Sequence, residues 1–370
     1  MPRAKFLHTA DLHLSRPFGF LPPQLAEERR RDQRRTLGRI IDLALEERVD
    51  LLLVSGDLFD SADPDPTDLE AVTKEFSRFA EAGAKIFAIP GNHDFVSAGS
   101  FWHHLHIDGL HIFADTEWKS VVLKDLEISV SGIAFHRSKS ERRALDSLAV
   151  PEGIPGIVLS HASFEQFEGQ MDKYHPFSAR DIATSGASYI ALGHYHRYGA
   201  LSESGTTACY PGTPEGLGFD NVETEDRQVV LGTIHDDGRA EIEPIKINRR
   251  TMRDAQLDCT SFDSRTSLFD AVRRLCDQNA LLRLRLSGTP NAELTEALDE
   301  IPERFRESCL YLTIESADLQ AHADFNIDDR TIRGRFCKHL LSQLEGTTDD
   351  EQRRLLRRAL ELGLAAFSER

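Results

Sequence analysis

A chain of 370 residues is too long for one small core, and its 40% of hydrophobic residues is an ordinary globular composition, so two domains and a short tail are expected. No apolar run approaches the roughly eighteen residues of a membrane span, and Met1 to Lys5 lead straight into an apolar stretch without a signal-peptide pattern, so a soluble, cytoplasmic protein without membrane contact is expected. The net charge of −17 opposes polyanionic partners except where they are met locally or through another subunit, and five scattered cysteines with no Cys-x-x-Cys pair argue against a disulfide framework or zinc ribbon.

In chain order, apolar Phe6-Leu7 runs into His8-Thr9-Ala10-Asp11-Leu12-His13. Asp11 and His13, two apart where a strand gives way to a loop, point to one side and offer a carboxylate and an imidazole to one cation. A Pro- and Phe-containing loop follows over 15–24, then a helix over about 25–48 with Leu37, Ile40, Ile41 and Ala44 as its apolar stripe. Arg29, Arg30, Arg31, Arg34, Arg35 and Arg39 on this helix read either as a solvated face balanced by Glu27, Glu28 and Asp32 or as contacts to a phosphate backbone.

Leu51-Leu52-Leu53-Val54 is the continuous apolar run of a strand buried on both faces, and its Gly56-Asp57 end aims a carboxylate outward. A helix over 67–82 leads to the strand Ile86 to Ile89, which ends in Pro90-Gly91-Asn92-His93-Asp94. This alternation, with ligand-type residues at carboxyl ends, is βαβ logic. Further strands are predicted at 121–123, 128–130, 156–160 and 189–192, the last two ending in His161 and in Gly193-His194-Tyr195-His196. After a turn-rich return at Tyr210-Pro211-Gly212-Thr213-Pro214-Glu215, closing strands are expected around 228–234 and 240–245.

Taken together and in this order, the strings HTADLHL, SGDLFD, PGNHDF, LSHA, LGHYHR and YPGTPEG resemble the calcineurin-like metallophosphoesterase superfamily, and within it the SbcD-type DNA repair exonuclease subunits, over residues 4–245. The resemblance implies a four-layer α/β/β/α sandwich with a small α+β capping domain and a C-terminal helical tail. It implies two divalent metal ions, manganese first, with iron or zinc as alternatives. Asp11, His13 and His196 would hold one ion, Asn92, His161 and His194 the other, and Asp57 would bridge them. Such a pair, about 4 Å apart, stabilises both the attacking and the leaving oxygen of a phosphate ester. His93 resembles the family histidine that stabilises transition-state charge or protonates the leaving oxygen, with Asp94 as its expected orienting partner.

Outside the matched strings, His136 and Arg137 follow an apolar strand end and are candidates for meeting phosphate, or a plain surface pair. Tyr174, with His175 and Phe177, lies in a segment that could stack on bases. His103, His104, His106 and His111 match no family motif and read as ordinary helix and loop residues; His8 reads as structural or supporting rather than as a ligand.

Beyond Arg249 a β-α-β-α-β pattern (256–259, 264–277, 282–286, 292–305, 310–314) carries no catalytic motif, and two helices are expected after Asp328. The expected organisation is a phosphoesterase domain over 1–248, a cap over 249–322 and a helical segment over 323–370. A stripe of Leu356, Leu360, Leu364 and Phe367, opened by a capping box of Thr348 and Glu351 and flanked by Arg353, Arg354, Arg357 and Arg358, fits either its own domain or the coiled coil of a partner. The resemblance therefore implies a two-metal DNA exonuclease, with endonuclease activity left open, beside an SMC-like coiled-coil ATPase. DNA, the ATPase and a second copy of the chain are the partners it allows. A metallophosphodiesterase for nucleotides or other small esters is the alternative, favoured by the acidic charge; a binding scaffold with a degenerate site fits poorly with so complete a ligand set.

Overall fold

Strand periodicity sorts the apolar residues between Ala4 and Ile247 into three cores. The computed structural model describes residues 2–143, 145–166, 173–220, 222–224, 226–319, 330–347 and part of 349–367. The first sheet contains β1 (Pro2–Thr9), β2 (Leu51–Ser55), β3 (Lys85–Ile89) and β4 (Leu110–Ile112). The second contains β5 (Lys119–Leu123), β6 (Ile128–Gly132), β7 (Gly156–His161), β8 (Tyr189–Gly193), β9 (Gly199–Glu203) and β10 (Thr206–Tyr210). β11 (Gln228–His235) and β12 (Ala240–Lys246) return to the first sheet, whose order is β12-β11-β1-β2-β3-β4; the second runs β5-β6-β7-β8-β10-β9. β1 to β4 are mutually parallel, as are β6, β7, β8 and β10.

Successive side chains alternate between faces. Leu7, Leu52 and Val54 turn to the core beneath α1 (Pro23–Glu46) and α2 (Pro66–Glu81), whereas Phe6, Leu51 and Leu53 turn to the core between the sheets and meet Ile157, Leu159, Tyr189 and Ala191. Val158, Ile190 and Leu192 face the outer side of the second sheet, where Phe164, Phe177 and Ile182 of α3 (Ala179–Thr184) cover them. These are the four layers expected from the sequence. His8 lies in the middle, its Nδ1 2.9 Å from the Tyr189 hydroxyl, and burial pushes its pKa down to about 3, so it is a neutral structural histidine. Leu53 is fully buried. Leu53→Ala is expected to cost about 2–5 kcal/mol through lost transfer energy and the cavity left behind. Denaturant unfolding checks this, and an unchanged midpoint would mean that the inter-sheet core is not built as described.

Strands β9 and β10 lie outside the strands expected from the sequence. They form a hairpin whose turn residues Ser204 and Gly205 both have positive φ, 52° and 89°, as a tight two-residue hairpin turn requires. The Ser-Gly pair between short β-branched and small residues is the available signal.

By contact the chain divides into Met1–Asp254 with Asn279–Leu281, and Ala255–Gln278 with Leu282–Arg370. A third sheet, of β13 (Thr251–Asp258), β14 (Ala280–Gly288) and β15 (Tyr311–Leu319), has its first residues of β13 and β14 in the first unit and the rest in the second, where α4 (Arg265–Leu275) and α5 (Ala292–Arg304) join it around Leu268, Val272, Leu284, Leu286, Leu294 and Ile301. The segment expected as a separate tail clusters with this unit. In it, Leu356 and Leu360 pack on Phe336, Cys337, Leu340 and Leu344 of α6 (Ile332–Gly346). Thr348, Glu351, Arg353, Arg354, Arg357, Arg358 and Leu364 lie outside the described residues. No helix among the described residues is long and apolar enough to cross a membrane.

Candidate metal centre

The carboxyl ends of β1, β2, β3, β7 and β8 bring the chemistry together. Loop 11–14 is zipped onto the loop after β2 by backbone bonds from the Asp11, His13 and Leu14 amides to the Gly56, Asp57 and Leu58 carbonyls. Gln33 of α1, buried, donates to the Leu12 and His13 carbonyls and pins the same loop from behind. Asp11, His13, Asp57 and His194 all have positive φ, a backbone state that non-glycine residues adopt only where surrounding structure holds them, and which clusters at functional sites. Close approach explains Gly193: a Cβ there would lie 1.9 Å from the Ser55 carbonyl oxygen and 2.8 Å from His161 Nδ1.

The carboxylates are held by backbone donors. The His194 amide reaches both Asp11 oxygens, at 3.0 and 3.1 Å, and the His93 amide donates to Asp57 Oδ1 at 2.9 Å. Asp57 Oδ2 is left facing His13 Nε2 at 3.6 Å and His161 Nε2 at 3.3 Å, between the two groups of donors. Burial alone would raise the Asp57 pKa, but His161 and His13 hold it well below the usual carboxylate range.

The histidines reveal what the cavity is for. His13 Nδ1 is 3.0 Å from Asp60 Oδ1, His161 Nδ1 is 2.9 Å from the Ser55 carbonyl, and His196 Nδ1 meets Glu223 Oε1. Each Nδ1 therefore carries the proton, and in a neutral ring Nε2 presents a lone pair. Those lone pairs point inward: His13 and His196 Nε2 are 3.1 Å apart, and His161 Nε2 is 2.9 Å from Asn92 Oδ1, which His194 Nδ1 also approaches to 2.9 Å. Electron pairs confronting one another at such distances repel unless positive charge lies among them. Burial disfavours charge on His161, but the neighbouring Asp57 and Asp11 carboxylates raise its pKa to about 9. Asp11, His13 and His196, and likewise Asp11, Asp57 and His161, are spaced to hold an ion. The donor set of carboxylates, imidazoles and one amide oxygen fits divalent transition metals such as manganese, iron or zinc.

All seven expected ligands are thus brought to one place. His93 is exposed at its edge, with Nδ1 3.2 Å from the Asp60 carbonyl oxygen, and is itself close enough to His13 and Asp57 to share an ion with them. The expected pairing of His93 with the Asp94 carboxylate is not what the structure has. Asp94 accepts from the Gly91 and Phe59 amides, at 2.7 and 3.2 Å, and so closes the loop around Asn92; burial, with Asp57 nearby, pushes its pKa up to about 7.

Of the candidate substrate contacts, Tyr174 reaches the site, its ring 4.3 Å from that of His194. His136 instead bonds the Ala114 carbonyl, and Arg137 lies exposed. His175 and Phe177 are buried, His175 stacked on Phe135, so neither can stack on a base. The arginines of α1 are mostly engaged within the chain: Arg29 is buried against Glu215, Arg30 pairs with Glu27, Arg34 with Asp68, and Arg35 with Asp32. That is the solvated-face reading, with Arg29 as a core exception. Glu215, from the YPGTPEG string, also accepts from Thr36 at 2.7 Å, which gives that string an anchoring role. Sequence reasoning missed Glu223, Gln33, Asp60 and Arg16, which pairs with Asp60 at 3.0 Å; only Asp60 stood inside a recognised string.

Carboxylates and imidazoles converging at the shared rim of two stacked α/β sheets define a metal-dependent hydrolase. The chain belongs to the calcineurin-like phosphoesterase family, whose model matches residues 4–198. It is 30% identical to an uncharacterized metallophosphoesterase, YhaO, of Bacillus subtilis, over 82% of this chain and 77% of that protein. It is 28% identical to the DNA double-strand break repair protein Mre11 of Aeropyrum pernix, over 73% of this chain and 66% of that protein. Identity to a component of the nuclease SbcCD of Bacillus subtilis is 22%, over 58% of this chain and 62% of that one. A dimetal phosphatase from Danio rerio superposes with a TM-score of 0.44 at 12% identity, covering 67% of this chain and 99% of that one, too loosely to carry an argument.

Proposed function

We propose that this chain is a two-metal-dependent DNA nuclease of the cytoplasm, exonucleolytic in the first instance, working beside an SMC-like coiled-coil ATPase. The observation that carries the metal chemistry is the inward convergence of donors: His13 and His161 Nε2 on Asp57 Oδ2, His161 Nε2 on Asn92 Oδ1, and His196 Nε2 on His13 and Asp11. Asp11, His13 and His196 would hold one ion, Asn92, His161 and His194 the other, and Asp57 both. When bound, such a pair supplies Lewis acidity to a phosphate diester and a nucleophile at neutral pH. The chain's own part is to fix these donors through backbone amides and carboxylates. His93, held at the edge by the Asp60 carbonyl, faces the reacting phosphate, and there it stabilises developing charge or protonates the leaving oxygen. Tyr174, beside His194, lines the approach of the substrate.

The DNA substrate rests on the relatives, one named for DNA double-strand break repair and one as a component of a nuclease, and the ATPase partner rests on the resemblance of the motif strings to SbcD-type subunits. A small phosphodiester is the second reading, favoured by the net charge of −17 and by the engaged arginines of α1. A manganese-supplemented assay on linear duplex DNA, single-stranded DNA and a chromogenic phosphodiester, with and without chelator, separates them. Chelator-sensitive degradation of DNA is expected; turnover of the small ester alone would replace the nuclease reading with the second.

A further inference from the structure

We propose that Glu223, which lies outside every string that carries the family resemblance, is the positioning residue for His196; the proposal rests on the reading of the site as a metal centre. Glu223 is almost fully buried, and both of its oxygens are engaged. Oε1 accepts the His196 Nδ1 proton, while Oε2 accepts from the Thr213 hydroxyl and the Leu217 amide, each at 3.1 Å. A carboxylate held at both ends cannot rotate away. It therefore selects the tautomer of His196 in which Nε2 has the free electron pair, and it aims that pair at His13 and Asp11.

The surrounding segment keeps the carboxylate there. Arg227 donates from Nε to the Thr213 carbonyl at 3.0 Å, from one terminal nitrogen to the Val222 carbonyl at 2.8 Å, and from the other to the Thr213 hydroxyl at 2.9 Å and the His196 carbonyl. One guanidinium thus ties the chain on both sides of the His196–Glu223 pair. His13 also meets a carboxylate, but that of Asp60 inside the SGDLFD string, and His161 meets a main-chain carbonyl. His196 is the one whose support comes from a segment that follows the last recognised string, so metal affinity depends on residues the motifs do not contain.

The test is a double-mutant cycle read by calorimetric titration of the full chain with Mn2+ alone, using wild type, Glu223→Gln, His196→Ala and the double variant, with thermal melting as a folding control. Removing such a supporting partner typically weakens metal binding about 10- to 100-fold. Glu223→Gln is expected to do so in the wild-type background and to add nothing once His196 is gone. Unchanged affinity in Glu223→Gln, or an equal loss with and without His196, would overturn the proposal, the latter by making Glu223 a loop anchor only. Should Glu223→Gln fail to fold, Thr213→Val removes one of the bonds that fix the carboxylate; a smaller weakening that again vanishes without His196 is then expected, and no weakening overturns the proposal. A wild-type chain that takes up no Mn2+ would instead remove the metal reading itself.

Discussion

Asp57→Asn is expected to abolish hydrolysis of any phosphodiester the protein accepts, by at least about three orders of magnitude, or roughly 4 kcal/mol of barrier. Asp57 Oδ2 stands 3.6 Å from His13 Nε2 and 3.3 Å from His161 Nε2, so one oxygen serves both groups of donors, while Oδ1 is occupied by the His93 amide. The amide variant keeps the size of the side chain and its packing. It removes the charge shared by both groups and, in one orientation, turns an N–H donor on them. Elemental analysis should find less metal at both positions together. Near-normal turnover, or loss of a single ion with the other held as tightly as before, would refute the assignment of Asp57 as the bridge.

His93→Ala is expected to lower turnover about 10²- to 10⁴-fold, the usual worth of a positioned acid or charge-stabilising group, with metal content unchanged. Its ring is exposed at the edge of the site and its Nδ1 is taken by the Asp60 carbonyl, which leaves Nε2 for the substrate. The measurement matters because His93 also lies within reach of an ion held by His13 and Asp57. Metal lost in parallel with activity would make His93 a ligand, and turnover at the wild-type rate would remove it from the chemistry altogether.

What is legible in the sequence is local. Leu51-Leu52-Leu53-Val54 and Ile86 to Ile89 are short apolar runs in which a strand must be buried on both faces, and Asp57, Asn92, His161 and His194 follow such runs directly. A residue at or just past the end of a parallel strand emerges at the carboxyl edge of the sheet, so the candidate ligands are visible in one dimension. The hairpin of β9 and β10 is not, because its residues alternate weakly and its only marker is a Ser-Gly pair.

Periodicity marks the βαβ alternation, and the motif strings that resemble the calcineurin-like family supply the fold class and the candidate members of the site. How those members are supported depends on the folded chain. Glu223 lies 27 residues from His196, and Arg29 lies 186 residues from Glu215, separations at which no periodicity links two side chains. Asp94, adjacent to His93, is its natural partner on sequence proximity, but the loop turns the carboxylate back to the Gly91 and Phe59 amides and hands His93 to the Asp60 carbonyl. Buried polar groups must find partners wherever the folded chain places them, and that requirement is met across the fold rather than along the sequence.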